Sequence, residues 1–160
     1  MTMALADCRA KIKGLIVTVE ASELTNREQV QARTELGAAY IKIAQLAEVG
    51  DLGGYYYLEL ARKSLEWAIN GAKRLRAADP VKVCAHHALA ALHNEYGDSA
   101  SAISTAELAI AATTGDLSAE DGAQACEETE AALSALRDDL AGWAAAAVGN
   151  SREIEAGEVS

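Results

Sequence analysis

The sequence predicts an all-α protein of about six antiparallel helices, and three observations predict it. Alanine, the strongest helix former, occurs 36 times in 160 residues. A single proline, Pro80, leaves long segments uninterrupted. Apolar residues recur at three- and four-residue spacings, and the one strand-like run, Ile16-Val17-Thr18-Val19, has no second strand to pair with. The hydrophobic share, 51%, is enough for one core. We expect residues 1–148 to form a single helical domain and residues 149–160 an acidic, flexible tail.

The first helix spans about Leu5–Glu20, with Leu5, Cys8, Ile12, Leu15 and Val19 in one apolar stripe. Thr25 followed by Glu28 is a capping box, whose side chains satisfy amides left bare at a helix start. The second helix follows and runs to about Val49. Its apolar arc includes Leu36, Gly37, Tyr40, Ile41 and Ile43 and covers more than half of the circumference, so it packs on two sides and is central. Gly50–Gly54 is a turn by composition, and its glycine spacing fits no phosphate-binding loop. The third helix is predicted over Tyr55–Ala78 on a seam of Leu58, Ala61, Leu65, Ala68, Ala72 and Leu75. Asp79 then caps a fourth, Val81–Tyr96, with Pro80 at its first position. Gly97 ends that helix, and Asp98 or Ser99 caps a fifth that reaches about Ala112. Thr113–Leu117 is a predicted loop. Ser118 with Asp121 is a third capping signal, opening a sixth helix over about Ala119–Val148 along Leu133, Leu136, Leu140, Trp143 and Ala147.

Leu89, Ala90, Gly97, Asp98, Ala102 and Ala109 carry a family pattern. A Leu and a small residue open one helix, Gly-Asp follows eight residues after the Leu, and small residues line the next helix. In these positions Leu89–Ala109 resembles a tetratricopeptide repeat. The good unit lies near residues 83–116, with His93 in place of an aromatic and Ala106 in place of a large apolar residue. A stretched unit lies upstream: Leu36-Gly37-x-x-Tyr40 starts the pattern, but Gly50-Asp51 comes 14 residues after Leu36. The resemblance implies stacked helical hairpins with a groove that takes a peptide or helix of another protein, and a long sixth helix as cap. The alternative architecture is an up-and-down helical bundle.

The formal charge of −10 is unevenly placed. Residues 1–97 carry 12 basic and 11 acidic side chains; residues 98–160 carry 2 and 13. An acidic half disfavours nucleic acid and admits a basic partner. Cys8, Cys84 and Cys126 are too few and too scattered for a disulfide framework or a zinc knuckle. No secretory leader or membrane-length apolar run is visible, so a cytoplasmic protein without a membrane partner is expected.

Candidate sites are few. Tyr55-Tyr56-Tyr57 are consecutive on a helix and point about 100° apart, so not all can be core, and tyrosine suits interfaces. These three, with Tyr40, His86 and His93, are the expected partner contacts in a groove between the second and fourth helices. Cys84, His86 and His93 are the alternative: a bundle holding a metal, haem or small molecule. Their spacing disfavours a local site, since His86 and His93 lie two turns apart, roughly 10 Å. No nucleophile elbow or distinctive carboxylate pair stands out. The expectation is a non-enzymatic adaptor, scaffold or assembly-type accessory protein with no cofactor. Self-association through the third or sixth helix is a further option.

Overall fold

The computed structural model describes residues 2–21, 23–46, 52–119 and 126–158. They form six α-helices: α1 (Thr2–Glu20), α2 (Asn26–Leu46), α3 (Leu52–Ala72), α4 (Pro80–Glu95), α5 (Ser99–Ala119) and α6 (Glu127–Glu158). There is no strand among the described residues, so the all-α expectation holds.

Three of the predicted helix starts form side-chain bonds, though in the first the Glu28 carboxylate takes the Thr25 hydroxyl where a full capping box would take the Thr25 amide. Thr25 Oγ1 accepts the Glu28 amide at 3.2 Å, and its hydroxyl donates to Glu28 Oε1 at 2.8 Å. Asp79 accepts the Val81 amide at 2.9 Å, ahead of Pro80 in the first turn of α4. At the α4–α5 turn Gly97 takes φ +81°, the left-handed conformation that glycine adopts without strain. Asp98 then accepts the Ser101 amide at 3.0 Å and opens α5.

Several boundaries differ from expectation. α3 starts at Leu52, inside the predicted turn, and the rest of that turn lies outside the described residues, as does the expected end of the second helix at Val49. α3 stops at Ala72, six residues before Ala78: the chain tightens into three-residue turns, Arg74 N donating to Gly71 O at 3.2 Å and Leu75 N to Ala72 O at 3.0 Å, and Asp116 takes at 2.9 Å the Ala78 amide that a longer helix would give to Arg74 O. α5 passes through the predicted loop at Thr113–Leu117. The hydroxyls of Thr114 and Ser118 donate to carbonyls four residues back at 2.8 and 2.9 Å, and that of Thr113 is shared between Ala109 O at 2.8 Å and Ala77 O at 3.1 Å, so they serve the helix rather than ending it. Asp121 of the third capping signal lies outside the described residues, and α6 begins at Glu127 rather than Ala119 and continues past Gly149 to Glu158.

Packing explains why α2 is apolar over so wide an arc: it meets α1, α3 and α4. Its closest partner is α3. A Cβ added at Gly37 would come within 2.5 Å of the fully buried Leu65 side chain, so the glycine sets that approach. α4 meets α2, α3, α5 and α6, while α3 and α5 do not meet among the described residues. Two adjacent hairpins, α2/α3 and α4/α5, therefore pack side by side, flanked by α1 and α6. This arrangement is compatible with a helical-repeat-like fold. One core joins α1, α2, α3 and α4 through Ile12, Leu36, Ile43, Leu65 and Leu92. A second joins α4, α5 and α6 through Val83, Ala90, Ala106, Leu133 and Leu136. A third, with Val30, Ala68, Ala72 and Ala85, closes the end where α2 begins.

Candidate functional site

Helix α4 has a cleft on each side. On one side, α2, α4 and α6 enclose about 520 Å³. The helical period puts Arg27, Gln31, Thr34 and Glu35 of α2 along one wall, and Glu128, Ala131 and Ala132 of α6 along the other. Pro80, Val81 and Cys84 of α4 lie between them. Arg27 pairs with Asp79 through its Nε at 3.1 Å, which links the start of α2 to the cap of α4. Hydrogen bonding to Asp79 is the first reason that the guanidinium is raised above its usual range. Gln31 donates to Glu35 at 3.4 Å. Thr34 is only 6% exposed, and its hydroxyl has no hydrogen-bond partner among the described residues. An unpaired buried hydroxyl costs about 1–3 kcal/mol, and the Thr34 oxygen lies beneath the cleft wall with essentially no surface of its own.

The second cleft, about 530 Å³, lies between α4 and α5 over Val83, His86, Leu89, Leu108 and Ala109. His86 is half-buried there. Burial, with Lys82 adding, lowers its pKa and keeps the imidazole neutral. Leu108 is exposed at the rim.

The tyrosines gather at the start of α3. Tyr40 stacks on Tyr57 with centroids 6.3 Å apart, and Tyr57 meets Tyr56 edge-on at 5.7 Å. Tyr55 meets Tyr96 at 6.3 Å. All five tyrosines of the chain thus join in two contact groups built from α2, α3 and the end of α4. Tyr40 and Tyr57 anchor the group, whereas Tyr55 and Tyr56 are 67% and 62% exposed. The Tyr96 hydroxyl donates to Glu59 Oε1 at 2.7 Å, and Glu59 also pairs with Arg62 at 2.8 Å. Burial first, then the Glu59 bond, pushes the Tyr96 phenol up to about 12. Arg62 and Tyr96 together hold the Glu59 carboxyl below its usual range.

The expected contact residues are therefore split. Tyr40 is core rather than surface, because α2 turns it onto Tyr57. Tyr55, Tyr56 and Tyr57 form an aromatic edge, away from the α2–α4–α6 cleft. His86 lines the α4–α5 cleft, and His93, half-buried near the end of α4, lines neither. Cys84 faces the cleft opposite that of His86, so the three members of the metal alternative do not converge. No three His, Cys, Asp or Glu side chains among the described residues are grouped to hold a metal ion. Although Cys84 reaches solvent, partial burial pushes its thiol up, with Glu35 and Asp79 adding to the effect. The third histidine, His87, ties α4 to α6. Its Nε2 lies 2.6 Å from Asp139, and its ring is edge-on to Trp143. Thr34, Glu35 and Glu128 were not expected at a site. The one signal for Thr34 was a hydroxyl inside the widest apolar arc of the chain.

Among the described residues no helix is long and apolar enough to cross a membrane. The chain matches no protein-family model and no curated protein.

Proposed function

We propose that the protein is a non-enzymatic interaction module of tetratricopeptide-like build, taking a segment of another protein in the α2–α4–α6 cleft. The observation that carries this is the cleft itself: three helices that pack in series leave a trough floored by Pro80, Val81 and Cys84 and walled by α2 and α6. The helix contacts support a repeat-like stack, because α2 meets α4 and α4 meets α6 while the outer helices α3 and α5 stay apart. The Gly97-Asp98 turn with fully buried Ala90 and Ala102 supports the repeat pattern at the level of residues. Three free thiols suit a reducing compartment such as the cytoplasm. The role is that of an adaptor, scaffold or assembly factor.

The test is capture of a partner from an extract of the source cells, comparing the wild type with Ala131→Trp. Ala131 lines the cleft and is exposed, so the indole fills the trough without entering the core. The proposal expects one stoichiometric protein with the wild type and its loss with Ala131→Trp at unchanged helicity. The exposed Tyr55 and Tyr56 favour a second surface. A partner that survives Ala131→Trp and is lost with Tyr55→Ala and Tyr56→Ala moves binding to the aromatic edge and overturns the cleft.

A further inference from the structure

We propose that the α4–α5 cleft is a site for a small aliphatic carboxylate, with its head at Lys82 and His86 and its chain along Leu89 and Leu108. This site is independent of the α2–α4–α6 cleft, because the two lie on opposite sides of α4. A volume of about 530 Å³ with apolar walls and a few polar groups is the usual form of a small-molecule pocket. Lys82, His86 and Leu89 follow one another at four- and three-residue spacing, so they share one stripe of α4 along the floor. Leu108, Ala109 and Ala112 of α5 form the wall, and Leu108 is 68% exposed at its rim.

The polar groups of the floor sit one helical turn apart. Lys82 Nζ gives one N–H to Leu75 O at 3.3 Å, which leaves two of its three donors. No carboxylate pairs with it among the described residues. Asp79 on its own helix start is held by Arg27, and Asp116 of α5 by Arg76 and the Ala78 amide. His86 makes no hydrogen bond or ion pair among the described residues. Its ring nitrogens are not cut off from the surface, so a molecule in the cleft reaches them. Burial keeps the ring neutral, and a neutral imidazole brings one N–H donor and no second charge.

One unmatched cation and a nearby N–H donor beside an apolar trough select the head group. A single carboxylate meets the single ammonium and accepts from both side chains. A cationic molecule meets Lys82 as a like charge. An uncharged apolar molecule takes water from both groups and returns no acceptor. A doubly charged phosphate brings more charge than Lys82 matches, in a chain of formal charge −10. The step from Lys82 to Leu89 along α4 is roughly 10 Å, which fits a chain of about eight carbons.

The experiment titrates octanoate, octanol and octylamine into the full chain carrying ¹³C-labelled histidine rings, at one neutral pH. The His86 signal is assigned by its loss in His86→Gln. Octanoate is expected to shift that signal saturably, half-saturating near or below about 1 mM, and to bind at least about fivefold more tightly than octanol. Octylamine should leave the signal unmoved. Lys82→Met should reduce octanoate binding to the level of octanol and leave octanol itself unchanged. Ala112→Trp, at an exposed position of the wall, should block both at unchanged helicity. Leu108→Ser, exposed as well, should weaken both about threefold. Equal binding of octanoate and octanol, or octanoate binding that survives Lys82→Met, removes the carboxylate preference and overturns the inference. A His86 shift that ignores both Ala112→Trp and Leu108→Ser comes from binding outside the cleft and overturns it too. So does the absence of a saturable shift up to about 10 mM. Partner capture with Ala131→Trp decides the other cleft independently of each of these outcomes.

Discussion

Two glycines in helix interiors show how much a residue's surroundings decide. Gly37 on α2 faces Leu65, and an added Cβ would lie 2.5 Å from its Cγ. Gly142 on α6 has nothing within 4 Å of the same position. Alanine improves helix propensity at either site by about 1 kcal/mol, but overpacking a full core costs about 1–3 kcal/mol. Leu65 is fully buried and cannot swing away. Chemical denaturation should therefore show Gly37→Ala less stable by about 1–2 kcal/mol and Gly142→Ala more stable by about 0.5–1 kcal/mol. Equal effects at the two sites would contradict the close α2–α3 approach. Tyr96 gives a residue-scale test in pH. Burial and the Glu59 bond both favour its neutral phenol, raising it from the usual value near 10 to about 12. The stability it contributes is present in full below about pH 10 and is lost as pH rises through about 12. Tyrosinate absorbance should show one phenol titrating last, and Tyr96→Phe should remove that step. Glu59→Gln should lower the step only partway, because burial is its larger cause. The sequence pointed to Tyr55–Tyr57 as an aromatic concentration. It could not show that Tyr96 joins them from the end of α4, because that contact depends on how the hairpins stack.

At the scale of elements, the signals that act locally were legible and those that act across helices were not. The Thr25–Glu28 box, the Asp79-Pro80 start and the Gly97-Asp98 turn each use partners within a few residues, and each appears where the pattern places it. The ends of α3 and α5 depend on distant partners. Thr113 Oγ1 bonds Ala77 O at 3.1 Å, Asp116 accepts the Ala78 amide at 2.9 Å, and Thr129 Oγ1 bonds Ala78 O at 2.9 Å. The α3–α4 link is thus stapled by α5 and α6, which is why α3 ends early and α5 extends through its predicted loop. Thr113 is 1% exposed, so Thr113→Val keeps the shape and leaves the Ala77 carbonyl without this donor. A loss of about 1–3 kcal/mol is expected in denaturant unfolding, together with faster amide exchange in residues 73–79. Unchanged stability would show that water replaces the hydroxyl freely and that the staple is not structural. The α2–α4–α6 cleft was illegible for the same reason. Its walls come from residues 27–35, 80–84 and 128–132, which meet only in the folded chain.

At the scale of the whole molecule, the order of contacts is compatible with a repeat-like stack. α1 approaches α2 alone, and α6 approaches only α4 and α5, so the first and last helices do not close on each other among the described residues. In a stack each layer is held by its neighbours, and stability is roughly a sum of local terms. α2 and α4 each touch at least three helices, whereas α1 is held on one side, through Ile12, Leu5, Leu15 and Val19. Opening α1 therefore exposes one interface, whereas opening α2 exposes three and opening α4 four. Native-state hydrogen exchange should follow that order, with α1 amides exchanging through a local opening and α2 and α4 amides only through global unfolding. Ile12→Ala should speed exchange in α1 well before it changes the slowest amides of α4. In a closed bundle the same substitution would lower protection uniformly, because every helix would then share a single core. Uniform loss after Ile12→Ala would remove the stack, and with it the physical reason for an open trough along α2, α4 and α6.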